Sequence, residues 1–394
     1  MTALGARGGP SRATSADGAE PEAARAQRLA AQLAAQAPRY FPEIARGQSD
    51  VQLLRVYRGA LASVYAFELR SGSHVRGVML KLPRPPGAAP DPAGACQPDR
   101  PRVAPVLAAR ERIESEHAAL AAIEAKLCAQ ADPRFGWIRV LDLLRGEPAL
   151  VTQRAEDPPL KQRLARAHRL APAARGAELR VPFRNAGAWL RNYHELPALA
   201  HTRERGALAA EFGESLRRLA DFLVERGAPP SLGELARGCA REAQRLLPAQ
   251  LPLGTSHGDL APRNVLVGPA GRVTLLDTRA AWRAPIYEDL AYFGVSLRSA
   301  RAQLYSGGLF FRESLLQELE TSFLAGYFGA EPVPAASLRL FRVQCLLDRW
   351  ASLVHAERET GIAGRARIAA AHHTLWRALR ASCAAALRAS CAAA

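Results

Sequence analysis

Residues 256–277 read SHGDLAPRNVLVGPAGRVTLLD. Asn264 to Val267 (NVLV) is a short apolar strand, Gly268 to Gly271 (GPAG) a turn, and Arg272 to Leu276 (RVTLL) a second strand, so the punctuation predicts a β-hairpin. The strands run out and back over nearly equal lengths, which puts Asn264 and Asp277 side by side at the open end. Asp259 lies on the loop that feeds the hairpin. Two carboxylates and an amide oxygen converging at one end make a hard-oxygen site of the kind that suits magnesium. The plainer alternative makes Asp259 and Asn264 turn formers and Asp277 a strand terminator.

HGDLAPRN, with four residues between its Asp and its Asn and a further Asp after a hairpin, resembles the catalytic loop of the aminoglycoside phosphotransferase and choline kinase group, relatives of the protein kinases. Where protein kinases begin this loop His-Arg-Asp, the chain has His257-Gly258-Asp259, the small-molecule form. The resemblance spans roughly residues 50 to 300. It implies Asp259 as the base that orients the acceptor hydroxyl, and Asn264 and Asp277 as magnesium ligands. The chain departs from the family at Thr278 and Arg279, where members usually carry an aromatic residue, and this bears on the loop after the metal-binding Asp.

The 394 residues suffice for two lobes with substantial cores, and the formal net charge is +16. Such a charge suggests nucleic acid or an anionic membrane surface. Only Lys81, Lys126 and Lys161 are lysines, however, so the charge comes from an Ala- and Arg-rich composition of the sort a GC-rich genome gives. No basic block is interleaved with aromatics, which argues against nucleic-acid binding. The six cysteines (96, 128, 239, 345, 383 and 391) form no CxxC pair. They read as reduced thiols of a cytoplasmic protein, not as a zinc ribbon or redox site. The first residues lack the apolar core of a signal peptide, and no apolar run is long enough to be a transmembrane segment. The oligomeric state is not legible.

Along the chain, residues 1–22 read as disordered and Pro21 to Ala37 as an Ala-rich helix. VQLLRVY, VYAFELR and VRGVMLKL then predict three strands in a meander. The first link, RGALAS, carries Gly59, whose small size lets backbone lie close to phosphates; a plain hairpin turn is the alternative. The resemblance favours the nucleotide loop, with Ser63 as a phosphate contact. Lys81 ends the third strand, and an ammonium among apolar strand residues needs an anion or an edge to snorkel from. The resemblance makes Lys81 the ligand of the α- and β-phosphates, paired with a helix glutamate. Residues 83–105 form a Pro/Gly/Ala insertion that excludes helix and central strand. In the helix that follows, Val106 to Gln130, Glu116 fits the family's pattern as the partner of Lys81, with Glu114 as its rival. Two more strands flank Gly146 and Glu147. The second, Ala149 to Gln153, leads to a hinge where backbone near Gln153 to Ala155 would face adenine.

Leu160 to Gln250 reads as helical. AWLRNYHELP (188–197) resembles a family scaffold segment, so His194 is expected to pack or cap rather than react. Asp289 in APIYEDLAYF (284–293) is expected to brace the catalytic loop. Helices from Ser296 to Leu379 form the expected acceptor wall. The chain ends on a repeated LRASCAAA, read as a frayed helix whose final CAAA matches a prenylation box by chance.

The fold expected is α+β and bilobal, protein-kinase-like, with a small antiparallel-sheet N-lobe and a mainly helical C-lobe. The expected divisions are an extension, disordered or helical, over 1–39, a nucleotide-binding lobe over 40–155, a helical lobe with the acceptor site over 156–380, and an Ala-rich tail over 381–394. The resemblance implies magnesium-dependent transfer of the γ-phosphoryl group of ATP, with GTP open as a donor, to a small-molecule hydroxyl. The helices after Asp289 hold slightly more Arg than acid, which disfavours polycationic aminoglycosides and leaves a sugar or glycoconjugate hydroxyl by analogy. The alternatives are an aminoglycoside-type kinase, a nucleotide-binding pseudokinase scaffold, and a basic module for anionic lipid or glycan.

Overall fold

The computed structural model describes residues 22–44, 49–59, 61–84, 107–144, 146–199, 202–278, 280–355 and 362–391. The reading of residues 1–21 as disordered, nearly all of the Pro-rich insertion, Arg279 and the last three alanines lie outside them.

Helix α1 (Glu22–Tyr40) comes first, followed by the meander β1 (Asp50–Arg58), β2 (Ala62–Ser71) and β3 (His74–Pro83). Helix α2 (Ala109–Gln130) then leads to β4 (Val140–Leu144) and β5 (Ala149–Gln153), giving a five-stranded sheet in the order β1-β2-β3-β5-β4 with every pair antiparallel. Alternation along the strands sorts the residues by face. Tyr65, Phe67 and Leu69 of β2 and Val78, Leu80 and Leu82 of β3 pack with Leu29, Leu33 and Ala37 of α1. Thus α1 is an integral layer of this lobe rather than an extension. It reaches Tyr40, past the expected end at Ala37, and admits Pro38. Lys81, out of phase with Leu80 and Leu82, points to the other face, where Ile113 and Leu120 of α2 pack with Leu150.

The second lobe is mainly helical. It contains α3 (Leu160–Ala165), α4 (Ala173–Ala177), α5 (Arg180–His194), the two-residue β6 (Arg203–Glu204), α6 (Ala209–Glu225) and α7 (Ser231–Leu246). Then come β7 (Leu253–Thr255), the hairpin β8 (Val265–Val267) and β9 (Val273–Leu275), and β10 (Trp282–Pro285). The chain closes with α8 (Ile286–Arg298), α9 (Arg301–Tyr305), α10 (Glu313–Phe328), α11 (Ala335–His355) and α12 (Ile362–Cys391). One large apolar core runs through these helices and takes in the hairpin residues Val265, Val267, Val273 and Leu275. The expected tail from 381 continues α12 instead, because Cys383 and Ala386 fall on its buried face. No helix among the described residues is long and apolar enough to cross a membrane.

The hairpin is clamped on both sides. The Val267 amide donates to the Pro158 carbonyl at 2.9 Å and the Gly136 amide to the Val273 carbonyl at 2.8 Å. Segments leaving and entering the sheet lobe therefore hold the hairpin between the lobes. Deeper in, α5 and α10 cross almost backbone to backbone: a Cβ on Gly326 would lie 1.8 Å from the Arg184 carbonyl oxygen, and one on Gly187 1.9 Å from that of Phe323. Gly326→Ala should therefore destabilise the protein by about 1–3 kcal/mol in urea unfolding, despite alanine's better helix propensity. An unchanged midpoint would show that the two helices can part without cost.

Candidate active site

The hairpin delivers its end residues as the sequence suggests, with one local difference. Asn264 lies in a 3-10 turn, Pro262–Asn264, and the strand begins at Val265, because Pro262 fixes the turn one residue further on than the apolar run implies. The Asn264 carbonyl accepts the Leu276 amide at 2.8 Å, so Asn264 and Asp277 do sit together at the mouth. Asp277 leaves the strand with φ of 57°, in the left-handed region that Asp and Asn tolerate best after glycine.

Lys81 reaches across to this mouth. Its Nζ lies 2.7 Å from Asp277 Oδ1 and 2.8 Å from Glu116. Glu114 instead pairs with Arg110 one turn earlier on the same helix, at 2.8 Å, so the choice between the two glutamates falls to Glu116. Burial works against the charge of Lys81, but Glu116 and Asp277 outweigh it and raise its pKa above the usual lysine range. The Glu116 side chain is 9% exposed and that of Asp277 45%. Asp277 thus faces the open cleft while Glu116 anchors Lys81 from behind.

A cavity of about 380 Å³ opens on this trio, lined by Gly59, Leu61, Ala62 and Val64 of the β1–β2 region and by Arg112 of α2. Arg112 donates to the carbonyls of Leu61 and Arg84, both at 3.1 Å, so the loop is tied to α2 one turn from Glu116. Arg112 is not singled out in the sequence; its spacing of four from Glu116, which puts both on one face of α2, is the signal that could have found it. Ser63 is not among the lining residues. It occupies the opposite phase of β2, and its Oγ accepts from Arg84 at 3.3 Å. Gln153 and Ala155 lie where β5 leaves the sheet, also outside this lining, and the Gln153 amide is engaged by the Arg139 carbonyl at 3.0 Å.

Asp259 lies on the loop beside Asn264. Its Oδ1 accepts from the Arg263 guanidinium and, at 2.9 Å, from the Tyr292 hydroxyl. Asn264 Nδ2 donates to the Asp259 carbonyl at 2.9 Å and lies 3.3 Å from Oδ2. Asn264 thereby turns its own oxygen, Oδ1, away from Asp259. Burial first and the charge of Asp259 second push the Tyr292 phenol up to about 12, so it remains a donor. Neither Arg263 nor Tyr292 stands out in the sequence. Their partner is known only once α8 is seen to pack on the loop.

The loop is held from below by Asp289. It accepts the amides of His257 and Gly258 at 2.7 and 2.8 Å, the Ser256 hydroxyl at 3.2 Å and His194 Nε2 at 3.1 Å. His194 Nδ1 meets the Tyr327 hydroxyl at 2.8 Å, which makes this histidine a strut between α5 and α10. Gly258 turns with φ of +76°, the backbone that lets both amides face one carboxylate. Burial opposes ionisation of Asp289, yet His194, His257 and the Gly258 amide prevail and lower its pKa from 3.8 to about 2. A depressed carboxylate contributes stability that is present above 3.8 and is lost as pH falls toward 2. Asp289→Asn should therefore cost about 3 kcal/mol at neutral pH and flatten the acid limb of the stability curve. Chemical unfolding of both proteins from pH 6 to pH 2 measures it, and parallel curves would remove Asp289 from this role.

A model of the phosphotransferase enzyme family (APH) matches residues 59–327. No curated protein sequence matches the chain. Among solved structures, the chain is similar to the Plasmodium vivax ethanolamine kinase at 10% identity, over 92% of this chain and 91% of that one, with a TM-score of 0.48. It is also similar to a spectinomycin phosphotransferase solved with ADP and spectinomycin, at 13% identity over 90% and 98% with a TM-score of 0.48. A choline kinase from Streptococcus pneumoniae matches at 13% identity over 90% and 99%, with a TM-score of 0.47.

Proposed function

Since the chain belongs to the phosphotransferase enzyme family, we propose that it transfers the γ-phosphoryl group of ATP to a hydroxyl of a small molecule. The observation that carries this reading is the meeting of Lys81 with Glu116 and Asp277 across 196 residues of chain, at the mouth of the hairpin beside Asp259. Lys81 and Glu116 of the sheet lobe and Asp277 of the helical lobe then face one cavity large enough for phosphates.

In this reading Lys81, steadied by Glu116, takes the α- and β-phosphates, and the backbone at Gly59 and Ala62 lies close to them. Asp259 aligns the acceptor hydroxyl and receives its proton on Oδ2, since Oδ1 is already held by Arg263 and Tyr292. Arg263 and Tyr292 fix the carboxylate's orientation, and Asn264 locks the loop that bears it. Positioning and electrostatics supply most of the rate in such a site.

The donor set fits a magnesium ion: Asn264 Oδ1 and Asp277 are hard oxygen ligands, and two protein ligands suffice for an ion that keeps waters and phosphate oxygens. Bound there, magnesium would neutralise charge building on the phosphates. Asp277's exposure to the cleft supports this role. A neutral sugar or glycoconjugate hydroxyl is the acceptor class we favour.

Asp259→Asn should lower kcat by about 10²–10⁴-fold and leave affinity for a non-hydrolysable ATP analogue unchanged. Lys81→Ala should instead weaken nucleotide binding. Coupled turnover assays and titration calorimetry separate the two, and full activity in Asp259→Asn would sink the assignment.

A further inference from the structure

A second cavity, of about 210 Å³, lies in the helical lobe and shares no lining residue with the Lys81 cleft. Its walls come from Arg205 beyond β6, Phe212 and Ser215 of α6, Trp282 of β10, and Phe341 and Gln344 of α11.

Its polar groups are incompletely used. Gln344 is 3% exposed; its Nε2 donates to Ser215 Oγ at 3.1 Å, while its Oε1 has no hydrogen-bond partner. Arg205 commits its two terminal nitrogens to Glu288 at 2.8 and 2.5 Å, and its buried Nε–H is without a partner. Ser215, accepting from Gln344, keeps its own proton to donate. Buried polar groups are rarely left in this state in the absence of a ligand or water to meet them.

The incompletely used groups of the lining are therefore two donors and one acceptor, in a wall that also holds three aromatic residues. The charges cancel: Arg205 is spent on Glu288, and the rim carries one acid, Glu211, and one base, Arg218. A phosphate would find no uncommitted inner cation, and a polycation would meet Arg205. Hydroxyls both donate and accept, so a ring bearing adjacent hydroxyls answers all three groups, and its C–H face suits an aromatic wall.

The geometry points to this cavity as a binding site for a neutral polyhydroxylated ring, a sugar or a cyclitol. The site adjoins the Asp259 loop. The carbonyl of Trp282 accepts the Ser256 amide at 2.8 Å, and Glu288 directly precedes Asp289, which holds the next two amides of that loop. An occupant thus touches two of the elements that shape the loop. Whether it is consumed as the acceptor rests on the phosphotransfer reading; its binding does not.

Calorimetric titration of the full chain with glucose, N-acetylglucosamine and myo-inositol tests the site, with kanamycin and inorganic phosphate as charged comparisons. At least one neutral ring should bind, and Gln344→Leu and Trp282→Ala should each weaken it about tenfold or more while ATP-analogue affinity holds. Ser215→Ala serves as a milder third variant should either of these melt early. Adding ATP and following the ligand by phosphorus NMR distinguishes an acceptor, which becomes phosphorylated, from an unconsumed effector, and either outcome supports the site. Binding of kanamycin or phosphate alone, or neutral-ring binding indifferent to all three substitutions, overturns it. Loss of ATP-analogue binding by the parent protein would count against the phosphotransfer reading instead.

Discussion

The ammonium of Lys81, set between the carboxylates of Glu116 and Asp277, governs how the two lobes meet. Removing an ammonium from water is costly unless anions replace the lost hydration. Two anions do so here, and they come from different lobes. The strand pairing that sets Lys81 opposite Val64 and Leu150 fixes its height on the sheet. The clamped hairpin fixes Asp277. With three charges summing to minus one, the cluster retains an appetite for a further cation.

Around that contact the architecture is a series of supports. The sheet is covered by α1 on one face and α2 on the other, so Lys81 cannot tilt without disturbing packed side chains. Asp289 holds three successive residues of the Asp259 loop, and His194 passes that constraint on to α10 through Tyr327. A buried polar network of this kind makes one loop geometry much cheaper than its neighbours.

Much of this was legible in the sequence because it is local. Period-two alternation and turn residues gave the meander and the hairpin, and the spacing of Asp259, Asn264 and Asp277 placed them at one end. Lys81 stood out by its rarity and its apolar surroundings, and Asp289 by its segment's likeness to a known brace. What escaped depends on packing between distant elements. Arg263 and Tyr292 are ordinary residues until α8 meets the loop, and α1 reads only as an Ala-rich helix in an extension until its packing on the sheet is seen. Ser63, which the resemblance suggests as a phosphate contact, occupies the other phase of its strand, and its hydroxyl accepts from Arg84. The Ala-rich ending reads as a frayed helix, and what its composition conceals is that Cys383 and Ala386 share a buried face.

The left-handed backbone of Asp277 narrows what evolution or an engineer can place there. Glycine and asparagine accept that twist readily but bring no negative charge to Lys81. Glutamate brings the charge on a longer arm and is poorly suited to the twist. Aspartate alone reconciles the two demands, so this position should be among the least forgiving in the protein.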